Sequence, residues 1–242
     1  MSEIVTYRPQ PGDNAGSIPL GIDPATGTPI RLDLDQHPHL IIPAGPRRGA
    51  TATLRMIAAY TAAHGAEVTL LVPKLAGYEP LKDQDGIRIH RDTGTTIEAL
   101  HDFADSMTVL YQDQEDGAEL PYRALLLIEH LETLTAHSRR DEHLHRALLR
   151  LHEVLRIGRG VRHHLVAATC SYSLAQLTPA REACAVLALG PRTRTERALL
   201  RLDRQPRTGP GAGVVKLPGQ PVRDIQVTYL SPEHARDLVT TA

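Results

Sequence analysis

Tryptophan is absent from this chain of 242 residues, phenylalanine occurs once, and aromatic residues make up only 3% of it. A core must therefore be assembled from Leu, Ile, Val and Ala rather than from large rings. Cysteine is nearly absent too. Cys170 and Cys184 are too few and too casually spaced for a disulfide framework or a metal ribbon, so both are expected to pack, in a reducing compartment. No apolar run approaches the length of a bilayer span, and the opening MSEIVTYRPQ carries charge and proline where a signal peptide needs an apolar stretch. A cytoplasmic location with no membrane segment is expected. Net charge is likewise small, with 27 Lys and Arg against 28 Asp and Glu, so bulk electrostatics do not draw the molecule to nucleic acid. DNA remains a possible partner only through a local patch. Lysine occurs three times, at Lys74, Lys82 and Lys216; arginine supplies the rest of the basic charge and favours bidentate contacts.

What is present is 41% hydrophobic residues in a length that suits one α/β domain. We assign residues 1–16 to an N-terminal tail and 17–242 to a single domain. Ser17–Ile22 and Thr28–Leu34 flank the turn Asp23-Pro24-Ala25-Thr26-Gly27 and form an N-terminal hairpin. The apolar run His39–Ile42 then leads through a Gly/Pro/Arg loop into Ala50–His64, where Leu54, Ile57, Ala58 and Ala62 recur near helical spacing. Further strands are expected at Val68–Val72, Ile87–His90, Ala124–Ile128, Leu165–Thr169 and Ala185–Leu189. A helix from Thr95 to about Met107, capped by Thr95 or Thr96, precedes a surface loop at Gln112–Glu119. Another begins near Arg140, with Leu144, Leu148, Leu151 and Leu155 as its stripe. Near-continuous apolar strands separated by helices call for a mostly parallel sheet covered on both faces. Val214–Leu217 and Asp224–Tyr229 predict a C-terminal hairpin, followed by a short helix capped by Ser231 with Pro232 at its first position.

The segment Ala44-Gly45-Pro46-Arg47-Arg48-Gly49-Ala50-Thr51 lies where a nucleotide phosphate loop would lie. That motif, G-x-x-x-x-G-K-S/T, aims backbone N–H groups inward, neutralises the β/γ-phosphates with its lysine and ligates magnesium through its hydroxyl. Only Gly49 and Thr51 match. Ala44 stands at the first glycine, Ala50 at the lysine, and Pro46 lacks a backbone donor. By itself the segment is equally an ordinary strand-to-helix turn.

Its surroundings resemble the motor domain of FtsK/SpoIIIE DNA translocases. Ile18-Pro19-Leu20-Gly21, then Asp33-Leu34, then His37-Pro38-His39-Leu40-Ile41-Ile42 are similar to that family's approach to its phosphate loop. Leu70-Leu71-Val72-Pro73-Lys74 resembles its "IDPK", with Val72 replacing the acid. Tyr122–Leu134 is similar to its Walker B stretch, with Glu129 and His130 where Asp and Glu stand in the family. Gly158–Cys170 resembles "GRSLGVHLLLASQ": Arg159, His164 and Leu165 match, and Cys170 replaces the glutamine at the strand tip. Gly209–Val214 and Pro221-Val222-Arg223 resemble the family's closing words. The resemblance thus runs in order from about residue 17 to the C-terminus and implies a RecA-like P-loop NTPase core. It also implies self-association, or mixing with an active motor of this family, because family motors work as ring hexamers.

The substitutions weaken the implied chemistry. In the family the Asp of Walker B holds magnesium and the Glu activates water; Glu129 can partly serve the first role, and His130 is a poor replacement in the second. The candidate cofactor-binding residues are therefore a degenerate set, Gly45, Arg47, Arg48, Gly49, Ala50 and Thr51, for which ATP and Mg2+ are weak expectations. The degenerate catalytic positions are Glu129, His130, Cys170 and Arg159. Arg47 and Arg48, at a helix N-terminus, can meet a phosphate or an acidic partner, or be two exposed loop arginines.

Three other constellations attract notice. His143, His145 and His152 with Asp141 and Glu142 share a predicted helix, but His143 and His145, two apart, face different ways, and a solvated polar face is expected. Glu129, His130 and His164 are candidates to meet at the strand tips, there to bind a metal or to act as acid and base; no metal site is assigned from them. Arg192, Arg194, Arg197, Arg201, Arg204 and Arg207 form a basic stretch able to touch DNA phosphates or a neighbouring subunit, but Glu196 and Asp203 dilute it, and a solvated helix face is expected. The expected function is a non-hydrolysing FtsK/SpoIIIE-like partner of a DNA translocase in chromosome partition or plasmid transfer. The alternatives are a peptide- or protein-binding module, like the degenerate ATPase domains of type VII secretion motors, and a weak ATPase using Arg48 and Glu129.

Overall fold

The computed structural model describes residues 5–170 and 184–241. Its centre is a run of parallel strands: β4 (His39–Pro43), β5 (Ala66–Leu71), β6 (Ile87–His90), β7 (Arg123–Ile128), β8 (His163–Thr169) and β9 (Cys184–Leu189). They lie side by side in the order β9-β4-β8-β7-β5-β6. Every residue of β4, β8 and β9 is buried, which is why these strands are apolar along their middles rather than alternating, with polar residues only at their ends.

Successive residues feed opposite faces. Leu125 and Leu127 of β7 join a cluster with Leu54, Ile57 and Ala58 of helix α1 (Ala50–Ala63), while Leu126 and Ile128 join one with Leu100, Phe103 and Met107 of α2 (Thr93–Glu115) and Leu144, Leu151 and Leu155 of α4 (Glu142–Ile157). Both faces are thereby dry, and the polar chemistry of the molecule is confined to the strand ends.

Two antiparallel hairpins extend the sheet beyond β9. β10 (Ala212–Lys216) pairs with β9 and with β11 (Arg223–Tyr229); β11 pairs with β2 (Ser17–Ile22), and β2 with β3 (Pro29–Asp33). Gly21 and Gly213 sit where neighbouring backbones leave no room for a Cβ: one at Gly21 would overlap the Gln226 carbonyl, and one at Gly213 the Ala188 carbonyl. The stretch assigned to a tail contributes β1 (Val5–Thr6), parallel to β11, and Asp13, which binds Arg31 at 2.9 Å and accepts a hydrogen bond from the Tyr7 hydroxyl.

The helices correct several expectations. α2 begins under an Asp92 cap, whose carboxylate accepts the Thr95 N–H at 2.9 Å, and runs to Glu115, so the first half of the expected loop at Gln112–Glu119 is helix. Its buried stripe continues to Leu110, past the expected end at Met107. α3 (Leu131–Ser138) has no counterpart among the expected helices, because it buries only Leu131, Thr135 and Ser138 and shows no apolar period. The helix face expected in the basic stretch is that of α5 (Arg194–Leu200), which opens with the capping box of Thr193 and Glu196. α6 (Pro232–Thr240) starts under Ser231 as expected and packs on α1. Among the described residues no helix is long and apolar enough to cross a membrane.

At the N-terminal ends of the central strands lies a buried histidine cluster. His164 donates through Nδ1 to the Pro38 carbonyl at 2.9 Å, and its Nε2 faces the Arg123 guanidinium at 2.6 Å, so the ring is neutral. Burial, and then the Arg123 charge, hold its pKa well below the usual value. His39 accepts the Leu165 N–H through Nδ1, and burial pushes its pKa down to about 4. His163 is lowered by the same cause.

Two outcomes are expected. The cluster stays neutral when folded and takes up protons when unfolded. Its stabilisation is therefore complete above about pH 6.5 and is lost as pH falls from there toward 4, with His39 alone contributing about 3 kcal/mol. Urea unfolding at about pH 7.5 and about pH 4.5 measures the slope, which His39→Gln should flatten. Arg55, buried in α1, donates to the Leu230 carbonyl from Nη2 at 2.9 Å and to the Gly77 carbonyl from Nη1 at 3.0 Å. Arg55→Met keeps the apolar stem and orphans both acceptors, so a loss of about 2–4 kcal/mol in urea denaturation is expected.

Candidate functional site

The chain leaves β4 at Pro43 and enters α1 at Ala50, so 44–49 is a strand-to-helix junction at the carboxyl end of the parallel sheet. Ligands bind at such an edge in open α/β sheets, where helix N-termini and unpaired loops converge. Gly49 makes the turn possible: its φ of 105 lies where side chains are strained, and its carbonyl accepts the Thr53 N–H as the helix starts. Arg47 is also left-handed, with φ 57. A cavity of about 470 Å3 opens above this turn, lined by residues 44–52 together with Arg55, Glu129, His130, Ala168, Thr169 and Cys170.

Gly45, Arg47, Arg48, Gly49, Ala50 and Thr51 therefore share one cavity with Glu129, His130 and Cys170. Thr51 Oγ1 donates to Glu129 Oε1 at 2.5 Å, joining the helix to the tip of β7. The Glu129 N–H donates to the Leu71 carbonyl at 2.9 Å, which fixes that tip against β5. Behind it lies the buried Tyr78 hydroxyl; burial, and then the Glu129 charge, raise its pKa well above the usual value. The Arg48 stem lies over Gly190, where a Cβ would meet its Cγ at 2.9 Å, and the Arg48 carbonyl accepts the Gly211 N–H.

The sequence pointed elsewhere for several residues. His164 is not at this edge: it is the second residue of β8, pairs in register with Leu125 and sits with Arg123 at the opposite end of the sheet, so the grouping Glu129, His130 and His164 does not form. Arg159 lies in the short turn Gly158–Val161 that precedes β8, also away from the cavity. Arg192 is not a surface cation for DNA. It is buried, and its Nη2 donates to the Pro43 carbonyl at 3.1 Å and the Leu189 carbonyl at 2.8 Å, bracing the tips of β4 and β9 behind the loop. His143 and His145 are exposed on α4. Cys184 packs in the core as expected, whereas Cys170 is exposed.

Glu132 is the residue that sequence reasoning missed. His130 has φ 58, left-handed, and this turns its ring back over the start of α3, placing Nδ1 3.0 Å from Glu132 Oε1. The Cys170 thiol donates to the same oxygen at 2.9 Å, and the Cys170 N–H donates to Oε2 at 3.2 Å. Burial pushes Glu132 upward, but the bonds from Cys170 and His130 outweigh it and hold the carboxyl below its ordinary value. The bond to Glu132 pushes the Cys170 thiol up, and burial adds to it. A positive φ at His130, two residues before a glutamate, carries no mark in the sequence.

Magnesium and ATP, which the resemblance implies, fit this edge unequally. The Thr51 hydroxyl and Glu129 carboxylate are in contact, as a magnesium site requires. The phosphate side departs from the motif: Ala50 offers a methyl group in place of an ammonium, Pro46 has no N–H to donate and Arg55 is committed to backbone carbonyls, which leaves Arg47 and Arg48 as the cations lining the cavity. No hydrolytic step follows from these groups.

No protein-family model and no curated protein sequence matches the chain. Solved structures do match. The cytoplasmic domain of the type VII secretion ATPase EccC of Thermomonospora curvata superposes with a TM-score of 0.73 at 16% identity, over 94% of this chain and 28% of that one. ATPases 2 and 3 of the same EccC, solved in complex with a signal sequence peptide, give 0.73 at 17% identity, over 96% of this chain and 44% of that one. The pCW3 conjugation coupling protein TcpA, solved as a monomer with ATPγS, gives 0.74 at 15% identity, covering all of this chain and 75% of that one. The chain thus spans less than half of either EccC chain. The chain has the RecA-like P-loop NTPase fold, in the form found in FtsK/SpoIIIE-type ATPase domains of secretion and conjugation motors.

Proposed function

We propose that the chain is a catalytically degenerate FtsK/SpoIIIE-like domain, acting as a structural or regulatory partner of an active motor in chromosome partition or plasmid transfer. One observation carries this reading: the cavity over the 44–49 turn keeps the Thr51–Glu129 contact but offers Ala50 where the motors' lysine stands, and follows Glu129 with a histidine bonded to Glu132. Without the ammonium, the terminal phosphates of ATP lose their principal counter-charge, and without a second carboxylate no base is aimed at an attacking water. EccC joins ATPases 2 and 3 in one chain, so units of this fold work side by side. The corresponding neighbour here is a second copy or a separate active motor chain.

The purified protein should release no phosphate from ATP above background, and a fluorescent ATP analogue with Mg2+ should show no micromolar binding. Micromolar binding with turnover that is lost in Thr51→Ala or Glu129→Gln would sink the proposal in favour of a weak ATPase. Saturable binding of a signal sequence peptide to the isolated chain, without association with a motor, would instead favour a peptide-binding module. Steeply salt-dependent DNA binding would place the chain on the translocase side.

A gain-of-function variant tests the pocket directly. Ala50→Lys combined with His130→Glu supplies one charge-assisted phosphate contact, which corresponds to about tenfold or more in affinity. Tighter binding of ATPγS in equilibrium titration is the expected result, with turnover still limited by the missing donor at Pro46.

A further inference from the structure

We propose that His130, Glu132 and Cys170 form a binding site for one thiophilic divalent cation, Zn2+, at the rim of the cavity. Nδ1 of His130, a carboxylate oxygen of Glu132 and Sγ of Cys170 all lie within 4.8 Å of one another. Two of the separations are already short, 3.0 Å from Nδ1 to Oε1 and 2.9 Å from Sγ to Oε1. Zinc bonds of ~2.0–2.3 Å at tetrahedral angles separate donor atoms by roughly 3.4–3.6 Å, so small side-chain rotations open the cluster around an ion. A nitrogen, an oxygen and a sulfur donor together suit zinc, and exclude the all-oxygen preference of Mg2+ or Ca2+.

The order of contacts argues against a nucleophilic cysteine. In a cysteine–histidine–carboxylate relay the imidazole stands between thiol and carboxylate and takes the thiol proton. Here the carboxylate stands in the middle, and both the thiol and the imidazole address the same oxygen. Such a thiol is not activated, whereas three donors converging on one point is what a cation requires.

The ligands come from two strand tips. His130 directly follows Glu129 at the end of β7, Glu132 is in the first turn of α3, and Cys170 directly follows β8. The left-handed backbone at His130 is a conformation that side chains avoid, and it is this turn that brings ring and carboxylate together. On binding, the Cys170 S–H bond and the His130 Nδ1–H bond break, the thiol proton leaves to solvent, and the ring keeps a single proton on Nε2 by exchange with solvent; the freed sulfur and Nδ1 lone pairs form the bonds to Zn2+, and the fourth position is left to water. The ion would tie α3 to the tip of β8 across the cavity mouth. It needs no nucleotide, so it is independent of the proposed function above.

Untagged full-length protein, stripped with chelator, is titrated with Zn2+ and separately with Co2+. The expected result is about one ion per chain, a rise in Tm with Zn2+, and for Co2+ a thiolate-to-metal charge-transfer band with the visible bands of tetrahedral coordination. Cys170→Ser should abolish the charge-transfer band, and Glu132→Gln should weaken Zn2+ binding about 10- to 100-fold or more. Cys184→Ser should change neither. Circular dichroism in chelator confirms that each variant folds. Absence of stoichiometric binding to the folded wild-type chain, or a charge-transfer band that survives Cys170→Ser, overturns the site.

Discussion

Burial of the parallel strands on both faces is the constraint from which the rest of the molecule follows. With β4, β7, β8 and β9 walled in by helices and by one another, every backbone amide inside must be satisfied by its neighbour strand. Polar side chains are thereby driven to the two ends of the sheet, and the ends have opposite characters. At the amino ends, His39, His163 and His164 are packed shut and kept neutral. At the carboxyl ends, Thr51, Glu129, His130 and Cys170 line an open cavity.

The open end is held by backbone geometry and packing. Gly49 permits the abrupt passage into α1, Arg192 braces the tips of β4 and β9 behind it, and Thr51 reaches Glu129. None of these contacts uses the side chain of Ala50, so the turn does not depend on it, whereas the contents of the cavity do.

The two hairpins give the domain its second line of support. They carry the sheet outward from β9, and β11 receives β1 from the start of the chain. Arg55 binds the carbonyl of Leu230, just beyond β11, and that of Gly77, in the loop after β5. The helix that bears the candidate site is thus anchored to the C-terminal segment from its buried face, which links the geometry of the cavity to the closure of the sheet.

The sequence by itself determined the buried strands, the parallel centre, both hairpins and the strand-to-helix junction, because each rests on local patterns: unbroken apolar runs, helical spacing at Leu54 and Ile57, and turn residues at fixed places. Where burial is sparse, as in α3, the pattern is too faint to read. Only the tertiary structure decided which end of a strand a residue occupies in relation to others: His164 and Cys170 belong to the same strand and its immediate end, yet stand at opposite edges of the sheet. Likewise the meeting of His130, Glu132 and Cys170 depends on one left-handed residue and on two strands lying side by side, and neither a backbone angle nor a lateral neighbour is written in the spacing of side chains along a chain.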